Sequence, residues 1–151
     1  MKYLDKYIVV CKWVESYENP IILKKDEKVV VNLAIKETDL EWVNWVWCIA
    51  GNGMTGWVPI QILNVCETLP NERQIAIALE DYSAYELPVN QDEIVIGSRC
   101  LNGWLWCRKE NSTKKGWVPI RCLKRSLNHC RISIAEMIKY YRICRKKIYI
   151  T

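Results

Sequence analysis

The chain has 151 residues, half of them hydrophobic and about a quarter charged, with only six glycines and five prolines. That composition excludes a disordered or fibrous chain and points to a folded globular one. The net charge of +5 is lopsided, because Arg125, Arg131, Lys139, Arg142, Arg145, Lys146 and Lys147 face a single acid, Glu136, after residue 124. The body is near neutral, and the end of the chain is what offers itself to an acidic partner.

Taken in chain order, the start (MKYLDKYIVVCKWV) lacks an apolar run of signal-peptide length. No stretch of about 20 apolar residues follows that would cross a bilayer. A cytoplasmic setting is therefore expected, with the eight cysteines reduced. With no C-x-x-C pair and one histidine, His129, neither a metal site nor any other cofactor is expected. Cys48 and Cys107, inside apolar runs, are expected as buried thiols. Cys100, next to Arg99, is expected to be exposed, with that charge lowering its pKa.

Residues 22–31 (ILKKDEKVVV) lead into a strand in which Val29, Val31 and Leu33 alternate. The segment 44–60 (NWVWCIAGNGMTGWVPI) then gives a strand, a turn over Asn52–Gly56 and a second strand. The same order returns: PVNQDEIVIG at 88–97, with Ile94 and Ile96 alternating, and GWLWCRKENSTKKGWVPI at 103–120, with its turn at Lys109–Gly116. Asp-Glu, Trp-x-Trp-Cys, a polar turn and Gly-Trp-Val-Pro recur in that sequence, which marks an internal repeat. The expected units are 1–66 and 67–124, joined by a linker around Glu67–Glu72 and followed by a tail, 125–151.

Strand periodicity puts Leu105 and Cys107 on one face and Trp104 and Trp106 on the other, and likewise Val46 and Cys48 against Trp45 and Trp47. The aliphatic face suits a core. Leaving two tryptophans per repeat in water forgoes several kcal/mol at about 25 cal/mol per Å². A ligand, the other repeat or the tail must cover them. In the tail, Ile134, Met137, Ile138, Tyr141 and Ile148 fit one face of a helix capped by Ser133, with the basic residues elsewhere. Such a helix either packs on the body or binds an anionic membrane or nucleic acid.

These residues resemble the Src homology 3 (SH3) domain, including its bacterial relatives. Ala78-Leu79-Glu80-Asp81-Tyr82 is similar to the family's opening strand, Asp92-Glu93-Ile94 to its diverging turn, and Gly116-Trp117-Val118-Pro119 to the segment before its closing turn. Val10-Cys11-Lys12-Trp13, Asp26-Glu27 and Gly56-Trp57-Val58-Pro59 are the counterparts in the first copy. The resemblance implies an all-β fold of two tandem five-stranded barrels. It also implies peptide recognition in aromatic grooves, with proline-rich segments as the usual ligand. Carried over residue by residue, the grooves hold Trp13, Trp45 and Pro59 in one copy and Tyr82, Trp104 and Pro119 in the other. Cys11, Ile62, Glu80 and Cys122 stand where further aromatics are expected. Glu15 and Glu18 in the first copy, and Glu86 in the second, stand near the loop whose acids meet a basic ligand residue.

No nucleophile lies beside a base, and no phosphate-binding glycine loop is present, so a non-enzymatic module is expected. Two adjacent grooves suggest a bivalent adaptor for peptide or protein ligands. The alternatives are a structural protein with its tryptophan faces buried between the repeats, or a binder of anionic surfaces acting through residues 125–151.

Overall fold

The computed structural model describes residues 4–37 and 42–126. The tail beyond Ser126, with His129 and the expected helix, lies outside the described residues. The chain is all β among those residues, apart from short 3-10 turns such as Ile60–Ile62 and Ile120–Cys122. Its strands are β1 (Asp5–Val9), β2 (Ile22–Leu23), β3 (Lys28–Asn32), β4 (Trp45–Ala50), β5 (Thr55–Pro59), β6 (Leu63–Leu69), β7 (Arg73–Ala78), β8 (Tyr82–Ser83), β9 (Ile94–Leu101), β10 (Trp104–Lys109), β11 (Lys115–Pro119) and β12 (Leu123–Arg125).

Two five-stranded antiparallel sheets result, in the orders β5-β4-β3-β7-β6 and β11-β10-β9-β1-β12, with a ribbon of β2 and β8. Each sheet takes one strand from the other repeat. β7 lies between β3 and β6, with Val30 opposite Ile75 and Leu63 opposite Ala78. β1 lies between β9 and β12, with Tyr7 opposite both Val95 and Arg125. The ribbon and the isolated Trp13–Val89 bridge continue the exchange into the loops. The first barrel is therefore built from one continuous stretch, about 20–84. The second is built from two pieces, residues 5–13 and 85–125, with the first barrel inserted between them.

A tight hairpin accounts for the exchange. Glu67–Leu69 belong to β6, and Pro70–Glu72 form a turn in which Asn71 and Glu72 both take left-handed backbone (φ 60° and 56°). These residues were expected as a linker. A turn this short leaves β7 nothing to do but pair along β6, so the opening strand of the second repeat completes the first barrel.

The cores follow the predicted faces in most strands. Val29, Val31, Cys48, Val58 and Ile62 are buried in the first barrel, and Val95, Leu105, Cys107 and Val118 in the second. In β9 the inward positions are Val95 and Gly97, whereas Ile94 and Ile96 are half-buried on the other side. A side chain at Gly97 would collide with Leu105, which fills that space: an added Cβ would sit 2.7 Å from Leu105 Cγ. The paired acids serve the turns as predicted. Asp26 and Asp92 are left-handed (φ 71° each), while Glu27 accepts the Lys24 N–H and Glu93 the Asn90 N–H.

The cysteines depart from the expectation of thiols throughout. Cys11 and Cys122 form a disulfide, with Cα atoms 4.8 Å apart. Cys48 and Cys107 are the expected buried thiols, each pushed up to about 12 by burial. Cys100 is exposed, but its pKa is raised, first by partial burial and then by Asp5. Arg99 does not lower it, because alternation along β9 sends Arg99 to the opposite side, where it pairs with Glu80.

Candidate binding cleft between the barrels

Strand exchange re-sorts the predicted groove residues. Trp13 leaves Trp45 and joins Trp104, edge to face, with ring centroids 5.3 Å apart. Tyr82 joins the first barrel, where its hydroxyl donates to the Trp57 carbonyl (2.8 Å). The replaced positions meet in the same way: Cys11 from one repeat and Cys122 from the other stand where the resemblance expected aromatics, and they bond to each other.

The two grooves are not open side by side. Trp104 is 1% exposed, Trp45 and Tyr82 7% each, and Pro59 and Pro119 are buried. Trp45 packs on Trp104 and Trp117 across the barrel boundary, with centroids 6.2 and 5.8 Å apart. Trp42 wedges between Trp104 (5.2 Å) and Trp57 (5.5 Å), Trp57 continues to Trp47, and Trp117 to Trp106. All eight tryptophans thus join one cluster, in which the other repeat covers Trp45 and Trp104, while Trp47 and Trp106 pack on Trp57 and Trp117 of their own repeat.

Four of the indole donors are satisfied inside the molecule. Trp13 Nε1 donates to Glu86 (3.0 Å), Trp57 Nε1 to the Tyr17 hydroxyl (3.0 Å), Trp117 Nε1 to the Ser83 carbonyl (2.9 Å) and Trp45 Nε1 to the Asn102 carbonyl (3.4 Å). Polar groups tie the rim: the Asn102 amide donates to the Asn44 carbonyl (3.0 Å) and to Gln61 Oε1 (2.9 Å), and Arg99 pairs with Glu80.

One cleft remains at this junction, about 360 Å³ including its open mouth. Tyr17, Pro20 and Trp42 form the more exposed part, Trp45, Trp57, Tyr82, Trp104 and Trp117 the buried part, and Glu86 one wall. Both repeats contribute. Glu86 is 7% exposed, and its Oε2 accepts from Trp13 Nε1, the Ser16 N–H (2.9 Å) and the Ser16 hydroxyl (3.1 Å). Burial raises its carboxyl above the usual range despite these bonds, with Glu15 adding a small push the same way. Glu86 thus stands as a largely buried carboxylate on the wall of the cleft. Glu15 and Glu18 are exposed on the preceding loop and do not line the cleft.

Sequence reasoning missed Tyr17, Trp42 and the inward roles of Trp57 and Trp117. Trp42 carried a signal, an unassigned tryptophan just before the Trp-x-Trp-Cys strand. Nothing local marked Tyr17.

The barrels and their aromatic junction allow a comparison with known proteins. Residues 6–66 match the family model of the variant SH3 domain. That SH3-type match runs from β1 to β6 and so spans strands of both sheets. No curated protein matches the chain. Among solved structures, one described as "CBDP35 Native structure" is similar, at 8% identity over 82% of this chain and 97% of that chain, with a TM-score of 0.27. SH3-type domains are in general non-catalytic modules for protein interaction.

Proposed function

We propose that this chain is a non-enzymatic binding module that takes a peptide segment of a partner protein into the single cleft between its barrels. The observation that carries this reading is the closure of Trp45 on Trp104, which removes two separate grooves and leaves one aromatic cleft. Tyr17 and Trp42, in the more exposed part of the cleft, offer flat apolar faces of the kind on which a proline-containing extended segment rests. Glu86, in the wall of the cleft, is the acid that meets a basic residue of that segment in this reading. Trp13, Pro59 and Pro119 act from behind, holding Glu86 and the buried tryptophans in position.

Titration calorimetry with proline-rich peptides, with and without a basic residue, tests this. One peptide should bind per chain, and Tyr17→Ala, at the cleft mouth, should weaken it about tenfold, the cost of one aromatic contact. Two peptides per chain, or a Tyr17→Ala variant with unchanged affinity, would overturn the single-cleft reading.

The eight-indole cluster also favours a second reading, in which the tryptophan faces serve to fasten the barrels together within a scaffold. Under that reading, Tyr17→Ala changes no binding partner, and both barrels unfold in one transition.

A further inference from the structure

The nested topology creates a problem of order in time. β1 is made before β9 and β12, yet both of these neighbours come from residues 94–125. The first barrel needs only residues up to about 84 and closes while β1 still waits for its slot. Closing a loop of more than a hundred residues is entropically costly, although the cost grows only slowly with length.

The slot is well specified. Val9 N–H donates to Glu93 O (2.9 Å), Val10 N–H to Cys122 O (2.7 Å), Asp92 N–H to Val9 O (2.9 Å) and Ser126 N–H to Lys6 O (2.9 Å). Val9 is fully buried, Lys6 pairs with Glu110 (2.7 Å), and Asp5 with Arg125 (2.9 Å). Only the connector from Val14 to Pro20 attaches this strand to the first barrel, and all but Pro20 of it is exposed.

We propose that the slot between β9 and β12 is also an assembly site, and that its second occupant is β1 of another copy of this chain. Two copies whose slots are open at once exchange residues 5–13, giving a closed two-fold dimer with the pairing seen within one chain. Cys11 then meets the other copy's Cys122 in the geometry recorded within the chain, and the bond fixes the exchange. With oxidised glutathione as the oxidant, one cysteine first forms a mixed disulfide and releases one reduced glutathione. The thiolate of the other cysteine displaces the second, so two thiols and one glutathione disulfide become one protein disulfide and two glutathione thiols.

Co-expression of a Cys11→Ser chain with a differently tagged Cys122→Ser chain tests the proposal, because any Cys11–Cys122 bond then joins two chains. Both chains carry Cys66→Ser and Cys100→Ser, at exposed positions. In glutathione buffer, a covalent heterodimer whose peptide map shows the Cys11–Cys122 link is expected. Monomers only, or links through other cysteines alone, would overturn it. The unaltered protein provides a second measurement that does not depend on how the serine variants fold. Equal amounts of ¹⁴N- and ¹⁵N-labelled chain are unfolded with reductant and refolded together with glutathione. Mixed-isotope Cys11–Cys122 peptides should rise with protein concentration. Their absence at every concentration would overturn the exchange.

Discussion

Replacing Trp104 by Ala separates a groove tryptophan from a junction tryptophan. A groove residue would be half in water and nearly dispensable to folding. Trp104 is instead 1% exposed, with rings of Trp13, Trp42 and Trp45 against it. An indole side chain buries about 150–250 Å², worth roughly 4–6 kcal/mol at about 25 cal/mol per Å², and truncations of this kind cost about 3–5 kcal/mol. Domains have only about 5–15 kcal/mol in total, so the variant should stand near the edge of folding. With an m-value near about 2 kcal/mol/M, the urea midpoint should fall by about 2 M, measured by far-ultraviolet circular dichroism. Because the lost contacts belong to both barrels, the transition should stay single or lose amplitude as a whole. Val43→Ala, at a 53% exposed position, is the control and should move the midpoint little. A Trp104→Ala midpoint within about 0.5 M of the parent, a shift of about 1 kcal/mol, would refute the junction argument and restore an open groove.

Reducing the Cys11–Cys122 bond, or removing it with Cys11→Ser and Cys122→Ser together, should cost about 2–4 kcal/mol. That lowers Tm by roughly 5–15 °C for a chain of this size, and a thermal scan unchanged by reductant would contradict it. A fragment of residues 20–84, which holds every strand of the first sheet, should unfold cooperatively, whereas a fragment of 67–126, the second repeat as read from sequence, should not. Circular dichroism of the two fragments decides this, and the opposite result would undo the nested topology. The folded carboxyl of Glu86 holds its proton more tightly than the ordinary value of 4.5, chiefly through burial. Protonation therefore favours the folded state, and the parent should gain stability relative to Glu86→Gln as pH falls toward 4.5 from above. Paired denaturation curves across that range check the sign, and a relative loss on acidification would show the carboxylate to be stabilised in place.

The local pattern carried the all-β class, the repeat and most of the core. Alternation of Val29 with Val31 and of Leu105 with Cys107, the Asp-Glu turns and the two Gly-Trp-Val-Pro segments are short-range features, set by side-chain periodicity and turn stereochemistry, and they stand in the structure much as read. Pairing of Trp13 with Trp104 and Tyr82 with the first barrel was not legible, because identical strands give the same local signal whichever barrel they complete. The choice turned on the turn at Pro70–Glu72, three residues whose left-handed backbone ties β7 to β6. From that one constraint follow the exchange of β1, the meeting of Cys11 with Cys122 and the closing of the tryptophan faces on each other. Sequence alone thus determined which residues face inward along most strands, β9 being the exception. Tertiary structure decided which strands share a barrel and which aromatic faces remain open, because those depend on contacts between residues a hundred positions apart.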